Sequence, residues 1–352
     1  MTTPPLPPLI LGGAGFSHQL TATPTASQTR QVLLRAFDLG VRAIDTSAYY
    51  EPSEELIGQA LAHPDTTSRY RREDYMLMTK AGRVSATESN YSPEWIRYSV
   101  TRSLERLRTG YLDVVFCHDV EFAPGGEEGV VGAVGVLLEM VKEGKVRFIG
   151  ISGYPIGYLA RVAERVRRVY GRSVDVVQTW AQMTLQNDRL EQEGLRLFTE
   201  ARVRCVCSSS PLACGLLREE GVPVGSLGDW HPAPEGLRVA ASEAAVFVKG
   251  EGESLARVAL RYALRRAQEV SSSGELRVAT IIGGVSVAEV EENIGTAMRV
   301  FRREEGLWQW SLETGSPDQK ERDEWLFAEV QRRLGEWRNY SFAEEPADDG
   351  GP

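Results

Sequence analysis

Four residues of this chain have the types needed to move a proton on or off an alcohol or carbonyl oxygen: Asp45, Tyr50, Lys80 and His118. A tyrosine with its ordinary pKa of about 10 holds its proton near neutrality. A nearby ammonium favours the phenolate and lowers that pKa, and a carboxylate beside the ammonium keeps it charged and placed. Lys80 and Asp45 suit these two tasks, while His118 suits orienting a substrate oxygen or relaying a proton. Of the forty basic residues only five are lysine, and Lys80 is the sole one before residue 142. Arginine serves most surface purposes but is not a compact ammonium, so an isolated lysine draws attention. A lone Asp at a strand end is more often a cap, a lone Tyr more often packing, and a lone His often a satisfied rim residue. The joint occurrence at successive strand ends is what points to chemistry.

Those strand ends follow from the apolar pattern. The β-branched runs Pro8 to Leu11, Val41 to Ile44, Tyr75 to Thr79, Leu112 to Cys117, Val146 to Ile151, Val174 to Val177, Val203 to Cys207 and Val278 to Ile282 read as buried parallel strands. Amphipathic stretches lie between them, from Gln28 to Leu39, Glu54 to Leu61, Val130 to Lys142, Tyr158 to Tyr170, Leu190 to Ala201, Ser254 to Arg266 and Val287 to Val300. One more follows Ser92-Pro93-Glu94, an N-cap, a first-turn proline and a dipole-complementing acid. Eight strands alternating with eight helices fit an open doubly wound sheet or a closed (β/α)8 TIM barrel. No Gly-x-Gly-x-x-Gly opens a helix after a strand, which favours the barrel. In a barrel, catalytic groups sit at the C-terminal rim, where the four residues fall. The stretch Glu219 to Lys249 reads as a long overhanging connection and a candidate lid. A helix is expected over Pro317 to Glu336, packed on the barrel. The domain reading is therefore a barrel over 1–300, an extension over 301–340 and a disordered tail over 341–352.

Composition narrows the function classes. At 352 residues, 42% apolar and 25% charged, the chain is a soluble globular type. The net charge of -9 gives no general attraction to a phosphate backbone, so nucleic acid is not expected as a partner. No apolar run is long enough to span a membrane, and the start carries no secretory pattern, so a cytoplasmic protein is expected, as a monomer or homodimer. Cys117, Cys205, Cys207 and Cys214 match no disulfide framework or zinc spacing, and no metal is expected.

The sequence resembles the aldo-keto reductase superfamily. The likeness is carried by Gly40 to Tyr50 (Gly-Val-Arg-Ala-Ile-Asp-Thr-Ser-Ala-Tyr-Tyr) with Ser53 and Glu54, by Thr79-Lys80, and by Tyr111 to His118. It continues through Gly144 to Ser152, Gln178, Ser210-Pro211-Leu212 with Gly215-Leu216, and Ile282-Gly283 to Glu292-Asn293. The family's catalytic Asp, Tyr, Lys and His then fall on Asp45, Tyr50, Lys80 and His118, with Tyr50 rather than Tyr49 because the five-residue step from Asp to Tyr is kept. The resemblance implies a nicotinamide cofactor near Ser152 and Gln178. Gly13, Ala14, Ser208, Ser210 and Leu212 are implied as further cofactor contacts. Where the family usually has Asn after that Ser, this chain has Gly153, and the family's ring-stacking aromatic is Ser209 here.

At the adenosine end, Gly283, Gly284 and Glu289 stand where members preferring the phosphorylated cofactor place Lys-Ser and Arg. An acid repels a 2′-phosphate but accepts from a free ribose hydroxyl, which favours NAD over NADP. Glu292 and Asn293 match the family's adenine-contacting pair. The wording is most similar to the branch that contains D-arabinose 1-dehydrogenase and L-galactose dehydrogenase. It implies oxidation of a small-molecule sugar, an aldose of D-arabinose, L-galactose or L-fucose type, at carbon 1 to the lactone. Phe16, Tyr154 and Trp180 are expected to flank the sugar, with Asp119 available for a hydroxyl. An NADPH-dependent aldehyde or ketone reductase is the nearest alternative. A cofactor-binding regulatory subunit without turnover, as the potassium-channel β-subunits of the superfamily are, is the alternative of another class.

Overall fold

The computed structural model describes residues 3–273, 276–301, 303–304, 307–308 and 316–344. Eight parallel strands close a barrel in sequence order: β1 (Leu9–Gly12), β2 (Ala43–Asp45), β3 (Met76–Ala81), β4 (Leu112–Cys117), β5 (Val146–Gly153), β6 (Val176–Trp180), β7 (Cys205–Ser209) and β8 (Arg277–Ile282). Closure is made by β1 against β8, with Leu9 opposite Thr280 and Leu11 opposite Ile282. The expected strands are all present, shifted by up to three residues at their ends. β6 runs three residues past its expected end and carries Gln178 and Trp180 within the strand.

Alternation along each strand builds two apolar layers. Ile10, Ala43, Met78, Val114, Phe116, Val176, Cys205, Cys207, Ala279 and Ile281 fill the barrel interior as one buried cluster. Leu9, Leu11, Ile44, Leu77, Val115, Ile149, Ile151 and Val177 face outward into the larger layer beneath the helices. Gly150 is required by this packing. A Cβ there would lie 2.4 Å from the Phe116 ring, so the glycine lets the Phe fill the barrel.

The helices start where local chemistry says they should. Thr25, Ser92, Ser286 and Ser316 each accept a hydrogen bond from the backbone N–H three residues on, and Pro93 and Pro317 stand at the first helical position. The Glu219–Lys249 stretch is not a long loop. Its second half is the helix Glu235–Gly250, whose Leu237, Ala241, Ala244 and Val248 pack against Leu326, Phe327, Val330 and Leu334 of the helix Pro317–Leu334. The alanine-rich apolar face of 237–248 was hidden by the turn signals before it.

The C-terminal helix is anchored by charge as well as apolar packing. Asp323 is fully buried and accepts from Arg261 Nε at 3.0 Å, Arg265 Nη2 at 2.6 Å and Gln319 Nε2 at 3.1 Å. The chain then turns back over the barrel mouth. Gln186 donates to the carbonyls of Trp337 and Tyr340, Asn339 N–H donates to Gln186 O, and Phe342 N–H donates to the Tyr154 hydroxyl at 2.9 Å. The disorder expected from residue 341 therefore does not hold for Ser341 to Glu344, because Phe342 finds an aromatic site. Residues 345–352, and Trp310 of the extension, lie outside the described residues.

Candidate active site

Asp45 ends β2, Lys80 lies in the last turn of β3 and His118 follows β4, so neighbouring strands deliver three groups to one rim. Lys80 Nζ donates to Asp45 Oδ2 at 2.6 Å and to Thr46 O at 2.9 Å. Both side chains are almost wholly buried. Tyr50 arrives on the turn after β2, with its ring face 5.0 Å from the Lys80 ammonium and its edge against His118, ring centres 5.7 Å apart at 87°. Tyr49, half-buried like Tyr50, has its ring centre 6.0 Å from that of His118. Asp45, Tyr50, Lys80 and His118 are thus brought together.

The loop carrying Tyr50 is fixed by hydroxyls that close on one another. Thr46 Oγ1 and Ser53 Oγ are 2.8 Å apart, and Ser53 Oγ donates to Gly13 O at 2.8 Å, tying the turn after β1 to the turn after β2. Buried Glu54 accepts from Thr79 Oγ1 at 2.7 Å and holds the following helix to β3. Ser47 Oγ sits 3.0 Å from His118 Nδ1 and accepts from the Tyr49 N–H. Ser47 retains its own proton to donate to Nδ1, and the Asp119 carboxylate, 3.7 Å from Nε2, favours the proton of a neutral His118 on that nitrogen. Ser47 was not singled out from sequence, since its role shows only when the imidazole is placed.

Electrostatics sharpen the picture and overturn one expectation. Burial pushes the Asp45 carboxyl up, against the pull of the Lys80 charge. Burial, and then the Asp45 carboxylate, push the Tyr50 hydroxyl well above its ordinary range. The ammonium was expected to lower it. Its field is spent on Asp45, 2.6 Å away, and the pair offers Tyr50 little net charge. Burial, then the charges of Lys80 and Arg83, push His118 well below its ordinary value, so the imidazole is neutral.

The remaining expected residues divide. Gln178 reaches the same cluster, its Nε2 3.3 Å from Asp45 Oδ2, while its buried Oε1 has no partner among the described residues. Ser152 Oγ donates to Cys117 O at 3.3 Å on the adjoining strand. Gly13 and Ala14 form the turn after β1, and Ser208, Ser210 and Leu212 lie at and after the end of β7. Ser210, Ala213 and Cys214 adopt left-handed backbone there, with Gly215. Gly283 and Gly284 follow β8, Glu289 Oε2 accepts from the Val285 N–H at 3.0 Å, and the N-cap Ser286 Oγ accepts from the Glu289 N–H. Asn293 Nδ2 donates to Gly283 O, and Glu292 is exposed, 3.9 Å from Arg257.

Tyr154 and Trp180 pack with ring centres 4.4 Å apart at the rim. Phe342 stacks on Trp180 at 6.1 Å, and His231 of the irregular stretch before Glu235 meets Phe342 at 5.2 Å. Phe16 is elsewhere: it is buried in the outer apolar layer and does not flank these rings. The small residue at 153 also has a physical reason. A Cβ at Gly153 would lie 2.1 Å from Glu121 Oε2, and Glu121 Oε1 accepts from the Tyr154 N–H at 2.8 Å. Among the described residues no group of three or more His, Cys, Asp or Glu is arranged to hold a metal, and no helix is long and apolar enough to cross a membrane.

An acid, a lysine, a tyrosine and a histidine at successive strand ends of a closed barrel match the description Aldo/keto reductase family, whose profile fits residues 8–305. The chain belongs to this family. Its members are oxidoreductases that use nicotinamide cofactors. The chain is 38% identical to D-arabinose 1-dehydrogenase of Saccharomyces cerevisiae over 73% of its own length and 75% of that protein. It is 35% identical to L-galactose dehydrogenase of Arabidopsis thaliana, with 74% of each covered. A glycerol dehydrogenase from Gluconobacter oxydans shares the fold with a TM-score of 0.65 at 18% identity, covering 100% of this chain and 98% of that one.

Proposed function

We propose that this aldo-keto reductase oxidises an aldose at carbon 1 to the lactone with NAD, Tyr50 passing the proton. The observation that carries this reading is the buried Lys80–Asp45 pair beneath the Tyr50 ring, with the neutral His118 at its edge. The likeness to two sugar dehydrogenases over about three quarters of the chain supports the sugar.

The residues present fit a nicotinamide cofactor. Gln178 Oε1 is a buried acceptor without a donor, which a carboxamide N–H₂ satisfies. Gln178 and Ser152 would hold that carboxamide, and Gly13, Ala14, Ser208, Ser210 and Leu212 would line the rest of the molecule. The cofactor, when bound, supplies the hydride acceptor. His118 donates its Nε2–H to the reacting oxygen and orients it. Tyr50 takes the proton of the anomeric hydroxyl in oxidation and returns it in reduction. Lys80 and Asp45 hold the Tyr50 ring by a compact pair whose charges nearly cancel.

The choice of NAD rests on Glu289. Its carboxylate is held at the first turn of the helix Val287–Ala297, following two glycines that offer no cation, and would stand beside an adenosine ribose. Glu289, Glu292 and Asn293 accept from, or donate to, a free ribose and adenine, whereas a 2′-phosphate meets repulsion.

Turnover of pentoses, 6-deoxyhexoses and hexoses with NAD, followed by absorbance of the reduced cofactor, tests the activity. Tyr50→Phe is expected to abolish turnover and keep cofactor binding. Unchanged turnover removes Tyr50 from the mechanism, and a strong NADP preference refutes the argument from Glu289. Reduction of simple aldehydes without any aldose oxidation identifies a carbonyl reductase instead.

A further inference from the structure

Asp119 follows His118 in left-handed backbone, φ 53° and ψ 60°, a conformation that Asp and Asn tolerate better than most residues. The turn brings its carboxylate alongside the imidazole: Oδ1 is 3.7 Å from His118 Nε2, the nitrogen that carries the proton. Asp119 precedes the short 3₁₀ turn Val120–Phe122, yet its side chain makes no capping hydrogen bond there. Its other oxygen faces Arg83, with Oδ2 3.7 Å from a buried Nε that has no hydrogen-bond partner of its own. Arg83 is held in place by a hydrogen bond to Ala86 O at 2.5 Å and by its guanidinium lying 4.4 Å over the Phe122 ring. An arginine and an aspartate are thus fixed beside the reacting histidine but are not used up on each other.

A donor, His118 Nε2–H, and an acceptor, Asp119 Oδ1, stand side by side at 3.7 Å. Two hydrogen bonds of about 2.8 Å rise from such a base to two oxygens at a comparable spacing, which is how adjacent oxygens sit on a sugar ring. An ionised carboxylate accepts only, so it takes a hydroxyl hydrogen and gains nothing from an ether or carbonyl oxygen. In a cyclic aldose the reacting carbon has a ring oxygen without a hydrogen on one side and a hydroxyl-bearing carbon on the other.

We propose that Asp119, held by Arg83, is a specificity-determining residue that accepts the hydrogen bond of the hydroxyl next to the reacting carbon, while His118 holds the reacting oxygen. The site thereby selects substrates with a hydroxyl at carbon 2 over those without one. This rests on the reading of the site as one that oxidises aldoses. A hydrogen bond to a charged partner in such a place is worth about 10- to 100-fold in selectivity.

The test compares D-arabinose with 2-deoxy-D-ribose, the same chain lacking the carbon 2 hydroxyl, with NAD as cofactor. The wild-type protein is expected to favour D-arabinose by at least tenfold in kcat/KM, and Asp119→Asn to erase most of that ratio through a higher KM for D-arabinose. Asn suits the left-handed turn, and retained quenching of tryptophan fluorescence by NAD verifies the fold. Arg83→Gln, which frees the carboxylate from its anchor, is expected to lower the ratio in the same direction. An unchanged ratio in Asp119→Asn overturns the proposal, as does an equal loss of kcat on both sugars, the mark of a proton relay. If the wild-type protein oxidises no aldose, the lactone reading fails on its own, and the residue is then read with NADH on glycolaldehyde against acetaldehyde. Loss of a glycolaldehyde preference in Asp119→Asn supports the role, and its persistence overturns it.

Discussion

Replacing Lys80 by methionine keeps the length of the side chain and removes its charge, which isolates what the ammonium does for the fold. In the intact protein Asp45 has two donors to Oδ2, Lys80 at 2.6 Å and Gln178 at 3.3 Å, and none to its buried Oδ1. The variant leaves a buried carboxylate with one long hydrogen bond. Breaking a buried pair from one side costs about 3–5 kcal/mol, because the surviving charge stays unpaired. Asp45 escapes part of this by taking up a proton, and burial already pushes its carboxyl upward. A carboxyl whose pKa is raised in the folded state stabilises most at low pH, where it is protonated. That contribution is lost as pH rises from its unfolded value towards its folded one, by about 1.4 kcal/mol per unit. The deficit of Lys80→Met against wild type is therefore expected to be largest above neutrality and to shrink as pH falls towards 5. Urea unfolding followed by tryptophan fluorescence at several pH values measures it. The double variant Asp45→Asn with Lys80→Met is expected to recover much of the loss. A deficit under about 1 kcal/mol, the range of exposed pairs, or one independent of pH, refutes the reasoning.

Three further outcomes follow from the same geometry. Asp323→Ala takes the carboxylate from the buried Arg265 and leaves the buried Arg261 with Glu253 alone, and is expected to cost about 3–5 kcal/mol in urea unfolding. The hydroxyl of Tyr50 is held well above its ordinary pKa, so its ionised fraction at neutrality is small and rises with pH. Oxidation by kcat/KM is thus expected to climb between pH 7 and 9 while reduction stays nearly level, whereas a flat oxidation profile argues against Tyr50 as the base. Gly153→Asn, which installs the residue usual in the family, is expected to lower activity and stability, because its Cβ meets the Glu121 carboxylate. Higher NAD affinity in this variant would show that Glu121 yields at little cost.

The barrel was legible in the sequence because each strand is a short β-branched run ended by a rim residue of distinct chemistry. The Asp-to-Tyr step, the isolated Lys80 and the His after a fully buried strand converge only in that topology, and the structure brings these four together. What remained hidden depends on distances between segments remote in sequence. The sign of the Tyr50 shift needed the 2.6 Å separation of Lys80 from Asp45, which composition cannot supply. Phe16 looked like a rim aromatic by position, yet the short 3₁₀ turn Gly13–Phe16 buries its ring in the outer layer. Phe342 sits in a polar, glycine- and proline-rich terminus whose composition reads as disorder, and its partners Trp180 and His231 lie more than a hundred residues earlier. The space for Glu121 at Gly153 is likewise invisible until β5 and the turn after β4 are laid side by side.

The ring wall has an evolutionary consequence. The residues proposed to handle the proton, Asp45, Tyr50, Lys80 and His118, all come from the first 118 positions of the chain. The rings facing one another at Tyr154, Trp180, His231 and Phe342 come from the remainder. Three of these four, Tyr154, His231 and Phe342, lie outside the strands, where changes of length and composition leave the barrel's register untouched. Mutation in those segments can reshape the wall without passing through intermediates that have lost the chemistry. On the proposed function, a lineage carrying this barrel is free to drift among substrates of related shape while the residues that handle the proton are kept.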